Sequence, residues 1–426
     1  MTKYGKLLLL LCVCWLGLGT AMTANAQEER PVRVVIDPGH GGENLGAQYE
    51  DYTEKEMTMI VAQAMKEELE QYQGIEVYLT REGDAELSLK ERAEYAAQMD
   101  ADFLFCLHFN MSEYHTLFGA ECWVSAFGEN YSKGYSFASA EMELLTEKGL
   151  YSRGIKTRLN DKGTDYYGII RQAVELDVPC VLIEHCHLDQ ANDQPYYDHG
   201  EKLREFGRLD ATAVAQYFGL YSETLQKNFR TYQRVEVAVP ENVMRPDETE
   251  PEECTIELVE QDEESGDVTL RVTASDAESG MLYYTYSYDG GQHYSELIRW
   301  PDRTADSFTV TLEIPLGTTP VLSVNAYNGY DLYTTSNELS LPAVEPEEPD
   351  ADPQEELLRE ETPVQELPAE EAEPAEKKSA EEAKSGAEIG IIPVVCLILL
   401  AGLAVSLIIL RSGIRQRGHR RRRRRR

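Results

Sequence analysis

The sequence predicts a layered α/β domain followed by a smaller all-β domain. From Pro31 to Leu220, short β-branched or aromatic runs alternate with longer runs of helical periodicity. From Cys254 to Leu341 the pattern changes to period-two runs, broken by Asp289-Gly290-Gly291 and Asn328-Gly329. At 426 residues the chain is also too long for one ordinary core.

In the first region, 31–220, strands are expected at 32–36, 76–80, 103–107, 120–125 and 180–183. Residues 54–72 carry Met57, Ile60, Val61, Ala64, Met65 and Leu69 on one helical face, and 89–99, 141–148 and 202–217 also read as helices. Residues 130–136 and 160–167 read as loops beside a groove. The stretch 221–253 holds Pro240 and Pro246 among charges and reads as a linker. Strands at 267–275, 281–289, 307–314 and 320–326 predict an immunoglobulin- or fibronectin-like β-sandwich over 254–342. Its simplest role is a rigid spacer, with glycan or partner binding as the alternative. Tyr283, Tyr284, Tyr286 and Tyr288 do not decide between them.

The two ends carry addresses. Residues 1–26 combine Lys3 and Lys6, an apolar core at 7–18 and the ending Ala24-Asn25-Ala26, which is a secretory signal cut before Gln27. Residues 389–410 hold no charge and would span about 33 Å as a helix, enough for a bilayer. Arg411, Arg415, Arg417 and the run 420–426 follow, and positive charge beside a span marks the cytoplasmic side. The expected arrangement is a single-pass membrane protein with 27–388 outside and a basic cytoplasmic tail, 411–426. Between them 343–388 is acidic, rich in Pro, Glu and Ala, and free of aromatics, which predicts an unfolded tether. No Leu-Pro-x-Thr-Gly signal precedes the span.

All 76 acids lie between Gln27 and Leu410, while 10 of the 40 cations follow Leu410 and two precede Gln27. Such an acidic exported part disfavours nucleic acid as a partner. Its five cysteines, at 106, 122, 180, 186 and 254, have an odd count and no regular spacing. A disulfide framework is not expected; one bridge or five thiols both remain open.

Chemistry-bearing residues gather at the expected strand ends. The first strand runs into Asp37-Pro38-Gly39-His40-Gly41-Gly42, the strand at 103–107 ends in His108, and the strand at 180–183 ends in Glu184. In open α/β folds that edge is where sites form. A histidine on a glycine-flanked turn can reach a metal that a bulkier loop would block. Zinc hydrolases commonly use three His or acidic ligands and leave one position open. His40, Glu54 and His108 supply such a set, with Glu54 opening the first strong helix, where it would also suit the helix dipole. Glu184 is then free to serve as the acid/base of a hydrolysis. His185 and His187 read better as strand-exit histidines bonded to backbone than as a second metal site. Asn110 suits either a turn or a substrate contact. His115, His199 and His293 are isolated.

With these residues in view, 32–220 resembles the zinc-dependent N-acetylmuramoyl-L-alanine amidases. The matching stretches, in family order, are Val34-Val35-Ile36-Asp37-Pro38-Gly39-His40-Gly41-Gly42, Glu54-Lys55-Glu56, Leu79-Thr80-Arg81, the helix start from Leu89 to Arg92, Leu107-His108-Phe109-Asn110 and Val178-Pro179-Cys180-Val181-Leu182-Ile183-Glu184. The resemblance implies a mixed β-sheet between two helical layers, one Zn2+ held by His40, Glu54 and His108, and Glu184 as catalytic acid/base. It implies hydrolysis of the amide between the muramic acid lactyl group and L-alanine of the peptidoglycan stem peptide. Cys106, Ala97 and His185-Cys186-His187 depart from residues common in the family and leave substrate preference open. No wall-binding repeat is recognisable, so the span replaces wall affinity as the localising device. A zinc peptidase acting within the stem peptide, or a silent wall-binding scaffold, are the alternatives. Oligomeric state is not legible.

Overall fold

The computed structural model describes residues 30–346. The apolar run after Pro31 forms β1 (Val32–Pro38), in which Val34, Val35 and Ile36 are fully buried. A strand apolar on both faces must be covered on both. A short hairpin, β2 (Gln48–Tyr49) and β3 (Tyr52–Thr53), leads into α1 (Glu54–Leu69), which buries Met57, Val61, Ala64, Met65 and Leu69. Then follow β4 (Ile75–Leu79), α2 (Leu89–Gln98), β5 (Phe103–Asn110), β6 (Ala120–Val124), α3 (Gly128–Glu147), β7 (Ser152–Lys156), α4 (Gly168–Val174), β8 (Cys180–His187) and α5 (Gly200–Phe218). A capping box starts α2: Glu91 N–H donates to Ser88 Oγ (3.2 Å), and Ser88 N–H to Glu91 Oε2 (2.8 Å).

The six long strands form one sheet in the order β4-β1-β5-β8-β6-β7. β4, β1, β5 and β8 run parallel, while β6 runs antiparallel to β8 and parallel to β7, so the sheet is mixed, as expected. One face, with Ile36, Phe105, Leu107, Cys122 and Ile183, packs against α1, α3 and α5. The other, with Val35, Leu104, Cys106, Trp123 and Leu182, packs against α2 and α4.

Several elements differ from the sequence expectation. β5 and β8 continue past Leu107 and Ile183, so Glu184 lies inside a strand whose eight residues are all buried. Residues 130–136 are not a loop but the opening turns of α3. Two of their serines meet the segment that follows the domain: Ser132 and Ser136 hydroxyls donate to the Val237 and Val235 carbonyls at 2.5 and 2.6 Å. β7 and α4 were not anticipated. β7 escapes a hydrophobic pattern because its buried side chains are Arg153 and Lys156.

A hairpin of β9 (Tyr221–Ser222) and β10 (Lys227–Asn228) follows. The expected linker then runs along the first domain, where Met244 N–H donates to the Ala126 carbonyl (2.9 Å) and Thr157 Oγ1 to the Met244 carbonyl (2.8 Å). Beyond it come β11 (Glu253–Gln261), β12 (Val268–Ser275), β13 (Met281–Ser287), β14 (Ile298–Arg299), β15 (Ser307–Leu312), β16 (Val321–Asn328), β17 (Tyr333–Thr335) and β18 (Leu339–Ser340). β11-β12-β15 make one antiparallel sheet and β14-β13-β16-β17, with β18, the other. The two enclose a single core with Leu270, Val272, Trp300, Leu322 and Val324.

The tyrosines of β13 are not an exposed row. Tyr284 sits in that core, while Tyr283 is fully buried against Phe118 and Tyr151 of the first domain. The expected signal (1–26), most of the tether (343–388), the span (389–410) and the tail (411–426) lie outside the described residues. Among the described residues no helix is long and apolar enough to cross a membrane. The five cysteines there are all free and buried.

Candidate metal centre

The end of β1 sets the site's geometry. Asp37 lies inside the sheet, 2% exposed, and its Oδ1 accepts from Arg92 Nη1 (2.7 Å) and Thr80 Oγ1 (2.5 Å). Arg92 Nη2 also donates to the His40 carbonyl (2.6 Å), and Arg81 Nη2 to the Gly39 carbonyl (2.9 Å). Two buried guanidinium groups thus clamp the turn after Pro38. His40 is held in the left-handed region, at φ 63, where non-glycine residues are strained. Two glycines give the room this requires. A Cβ on Gly39 would meet the His108 ring at 2.4 Å, and one on Gly46 would meet Glu54 Oε2 at 2.5 Å.

His40, Glu54 and His108 converge, each with a potential ligand atom within 4.8 Å of the others. His40 Nε2 lies 3.0 Å from Glu54 Oε2, and His108 Nδ1 lies 3.0 Å from Glu54 Oε1. Ligands about 2.0–2.1 Å from a tetrahedral metal are separated by roughly 3.3 Å, so two imidazoles and a carboxylate in this arrangement fit a divalent ion. Their orientation is secured from outside. His40 Nδ1 bonds Asn44 Oδ1 (3.0 Å), and Glu54 accepts from the Ala47 and Phe109 amides (2.7 and 3.0 Å). Burial alone would raise the Glu54 carboxyl. Hydrogen bonds and charge from His108 and His40 overrule it and hold the group well below the usual carboxylate range.

Glu184 is the in-register neighbour of His108 across β5 and β8, and Glu121 the in-register neighbour of Glu184 across β8 and β6. The three therefore share the α2/α4 face of the sheet, in a row. Glu184 Oε2 is buried without a hydrogen-bond partner, and burial, with the charges of Glu54 and Glu121, pushes its carboxyl well up. A carboxyl of raised pKa beside a metal cluster suits proton transfer near neutral pH.

The other histidines are engaged elsewhere. His185 Nδ1 donates to the His108 carbonyl (3.0 Å) and its Nε2 faces Asp210 (3.1 Å), which leaves neither nitrogen for a metal. His187 Nδ1 donates to the Gly119 carbonyl (3.1 Å), and His115 pairs with Asp189 at 2.7 Å. His199 and His293 are exposed. Asn110 donates to Glu121 Oε1 (3.0 Å) instead of closing a turn.

Sequence reasoning missed Glu121. Its 2% exposed carboxylate takes Lys156 (2.8 Å) and Arg153 (2.9 Å), both buried, and Arg153 reaches on to Asp331 of the β-domain (2.7 Å). The one signal was an acid inside the apolar run 120–124.

Residues 34–216 match the N-acetylmuramoyl-L-alanine amidase family. The N-acetylmuramoyl-L-alanine amidase CwlM of Bacillus licheniformis is 26% identical over 212 residues, covering 49% of this chain and 75% of the relative. The sporulation-specific N-acetylmuramoyl-L-alanine amidase of Bacillus subtilis is 27% identical over 190 residues, 44% of this chain and 69% of the relative. Among solved structures, the catalytic domain of the amidase CwlV from Bacillus (Paenibacillus) polymyxa var. colistinus is 26% identical and covers 44% of this chain and 98% of its own, with a TM-score of 0.37.

Proposed function

Residues 34–216 belong to the N-acetylmuramoyl-L-alanine amidase family, and from that premise we propose that the chain is a zinc-dependent peptidoglycan hydrolase. It cleaves the amide between N-acetylmuramic acid and L-alanine of the stem peptide. The observation that carries the reading is the convergence of His40, Glu54 and His108 beside a partnerless Glu184 carboxyl.

When bound, Zn2+ supplies Lewis acidity at the scissile carbonyl and lowers the pKa of water to about 7. The chain does the rest. The clamped turn and the β5 strand hold the two imidazoles with their ligand nitrogens on the same carboxylate. Glu184 takes the proton of the attacking water and returns it to the leaving L-alanine nitrogen, so its proton balance closes over one turnover. Its buried setting favours the uptake step, because the protonated form is the one a desolvated site prefers.

The anchoring is proposed on sequence grounds. The uncharged stretch 389–410 followed by arginines supports a single membrane span, with the catalytic domain outside the cell and the tail in the cytoplasm. The two-sheet β-domain is read as an immunoglobulin-like sandwich, with domain limits as given above.

The test is incubation of the purified protein, zinc-loaded and after chelation, with isolated cell wall, followed by mass-spectrometric identification of new amino termini. Zinc-dependent release of peptides beginning with L-alanine is expected. Zinc-dependent termini elsewhere in the peptide would replace this reading with a peptidase, and no cleavage in either state would leave a binding protein.

A further inference from the structure

The row of side chains that begins at His108 and passes through Glu184 to Glu121 continues toward the sheet edge. Trp123 lies on the same face, in register with Lys156 of β7. The Lys156 ammonium sits between two rings, 5.6 Å from that of Trp123 and 5.5 Å from that of Tyr330 in the β-domain. Beside them opens a cleft of about 560 Å³. The catalytic domain lines it with Asn110, Trp123, Arg158 and Tyr167, and the β-domain with Tyr330 and Leu332. Asn110 stands two residues beyond His108 on the same strand, and Glu121, the in-register neighbour of Glu184, also lines the cleft, which places it next to the metal cluster along the sheet.

Both domains build this cleft, and their contact is anchored. Arg153 Nη2 pairs with Asp331 at 2.7 Å and Arg153 Nη1 donates to Tyr283 Oη (3.1 Å). Thr157 N–H donates to Tyr330 Oη (3.1 Å), and Tyr283 donates to the Phe118 carbonyl. Two further acids line the cleft: Asp247, which accepts from Thr249, Ser279 and Asn328, and the exposed Glu248. Arg153 and Lys156 are neutralised by Glu121 and Asp331, whereas the exposed Arg158, stacked 3.8 Å over Tyr166, pairs with no carboxylate among the described residues.

We infer that the β-domain completes the substrate cleft, forming with the catalytic domain a subsite for the peptide side of the scissile amide. Arg158 receives a carboxylate of that peptide, and Tyr330 and Leu332 are the β-domain's share of the lining. A free guanidinium beside aromatic faces suits a carboxylate-bearing peptide more than a neutral glycan, because Arg binds carboxylates through paired, charge-assisted hydrogen bonds. The inference rests on the amidase reading and adds to it which part of the substrate the second domain contacts.

The full-length protein is assayed on two substrates, muramoyl-L-alanine amide, whose peptide side has no carboxylate, and a muramoyl tetrapeptide with its carboxylates free. Arg158→Ala should lower kcat/KM on the tetrapeptide by about tenfold or more, the size of a hydrogen bond to a charged group, and leave the short substrate unchanged. Leu332→Trp, which fills the cleft from the β-domain side, should show the same selectivity, and Arg158→Lys should recover part of the loss. Equal losses on both substrates, or no loss on the tetrapeptide, would overturn the subsite. Failure of the unaltered protein to hydrolyse either substrate would instead overturn the amidase reading on which it rests.

Discussion

Glu54 and Glu121 sit at two ends of one site and are alike in almost everything except their partners. Both are buried, 4% and 2% exposed, and for both burial alone would raise the carboxyl. In both, neighbours reverse that and hold the group below the ordinary carboxylate range: His108 and His40 for Glu54, Lys156 and Arg153 for Glu121. The histidines can be neutral and offer lone pairs, so their cluster can exchange its internal bonds for a cation. Arginine and lysine are donors only, so the second cluster is closed to metals and instead ties β6 and β7 to Asp331 of the β-domain. Glu184 lies between the two and feels both charges, which contribute to its raised carboxyl. A buried acid thus suits the part of a ligand, a latch or a proton carrier according to what faces it.

The most severe break in this comparison is at its middle. Glu184→Gln removes the proposed proton carrier while keeping size and shape, and should lower turnover by about 10²–10⁴-fold with the circular dichroism spectrum unchanged. Near-normal initial rates in that variant would sink the acid/base role.

Next in size is the latch. Glu121→Gln leaves Arg153 and Lys156 buried around a neutral amide, and loss of one partner from such a cluster costs about 3–5 kcal/mol. Thermal or urea unfolding should show that loss. A change within experimental error would mean that Asp331 alone compensates the two cations.

A third buried acid sharpens the contrast because it has no cation at all. Both carboxylate oxygens of Glu141 in α3 lack a donor, and burial, with the charge of Asp210, pushes its carboxyl well up. A raised acid favours the folded state fully below its unfolded value of 4.5, and that contribution is lost as pH rises through the folded value. The unfolding free energy should therefore fall as pH rises above 4.5, by at most about 1.4 kcal/mol per pH unit from this group, and the melting temperature should fall with it. Glu141→Gln should flatten that fall, and identical profiles for the two proteins would remove Glu141 from the explanation.

The Glu54 end was far more legible in the sequence than the Glu121 end, for physical reasons. His40, Glu54 and His108 stand where apolar runs stop or a helix begins, and glycines flank the first of them, so composition marks the place. The order of strands and helices through the first domain was readable from periodicity because most of them bury apolar faces. β7 was not, because Arg153 and Lys156 look like solvent-facing charges until Glu121, 32 and 35 residues earlier, is known to meet them. Nor does local patterning show a surface shared by two domains. Alternation along β13 puts Tyr283 on the face opposite Tyr284, outside the sandwich core, and gives no sign that Phe118 and Tyr151 cover it. The clamp of Arg81 and Arg92 on the His40 turn was visible only as a motif, its mechanism only as hydrogen bonds.

Calorimetric titration of Zn2+ into the metal-free protein tests the division between the two glutamate clusters most directly. One site per chain is expected, abolished in His40→Ala and His108→Ala and retained in Glu184→Gln. Undiminished zinc binding in the two histidine variants, or its loss in Glu184→Gln alone, would contradict it.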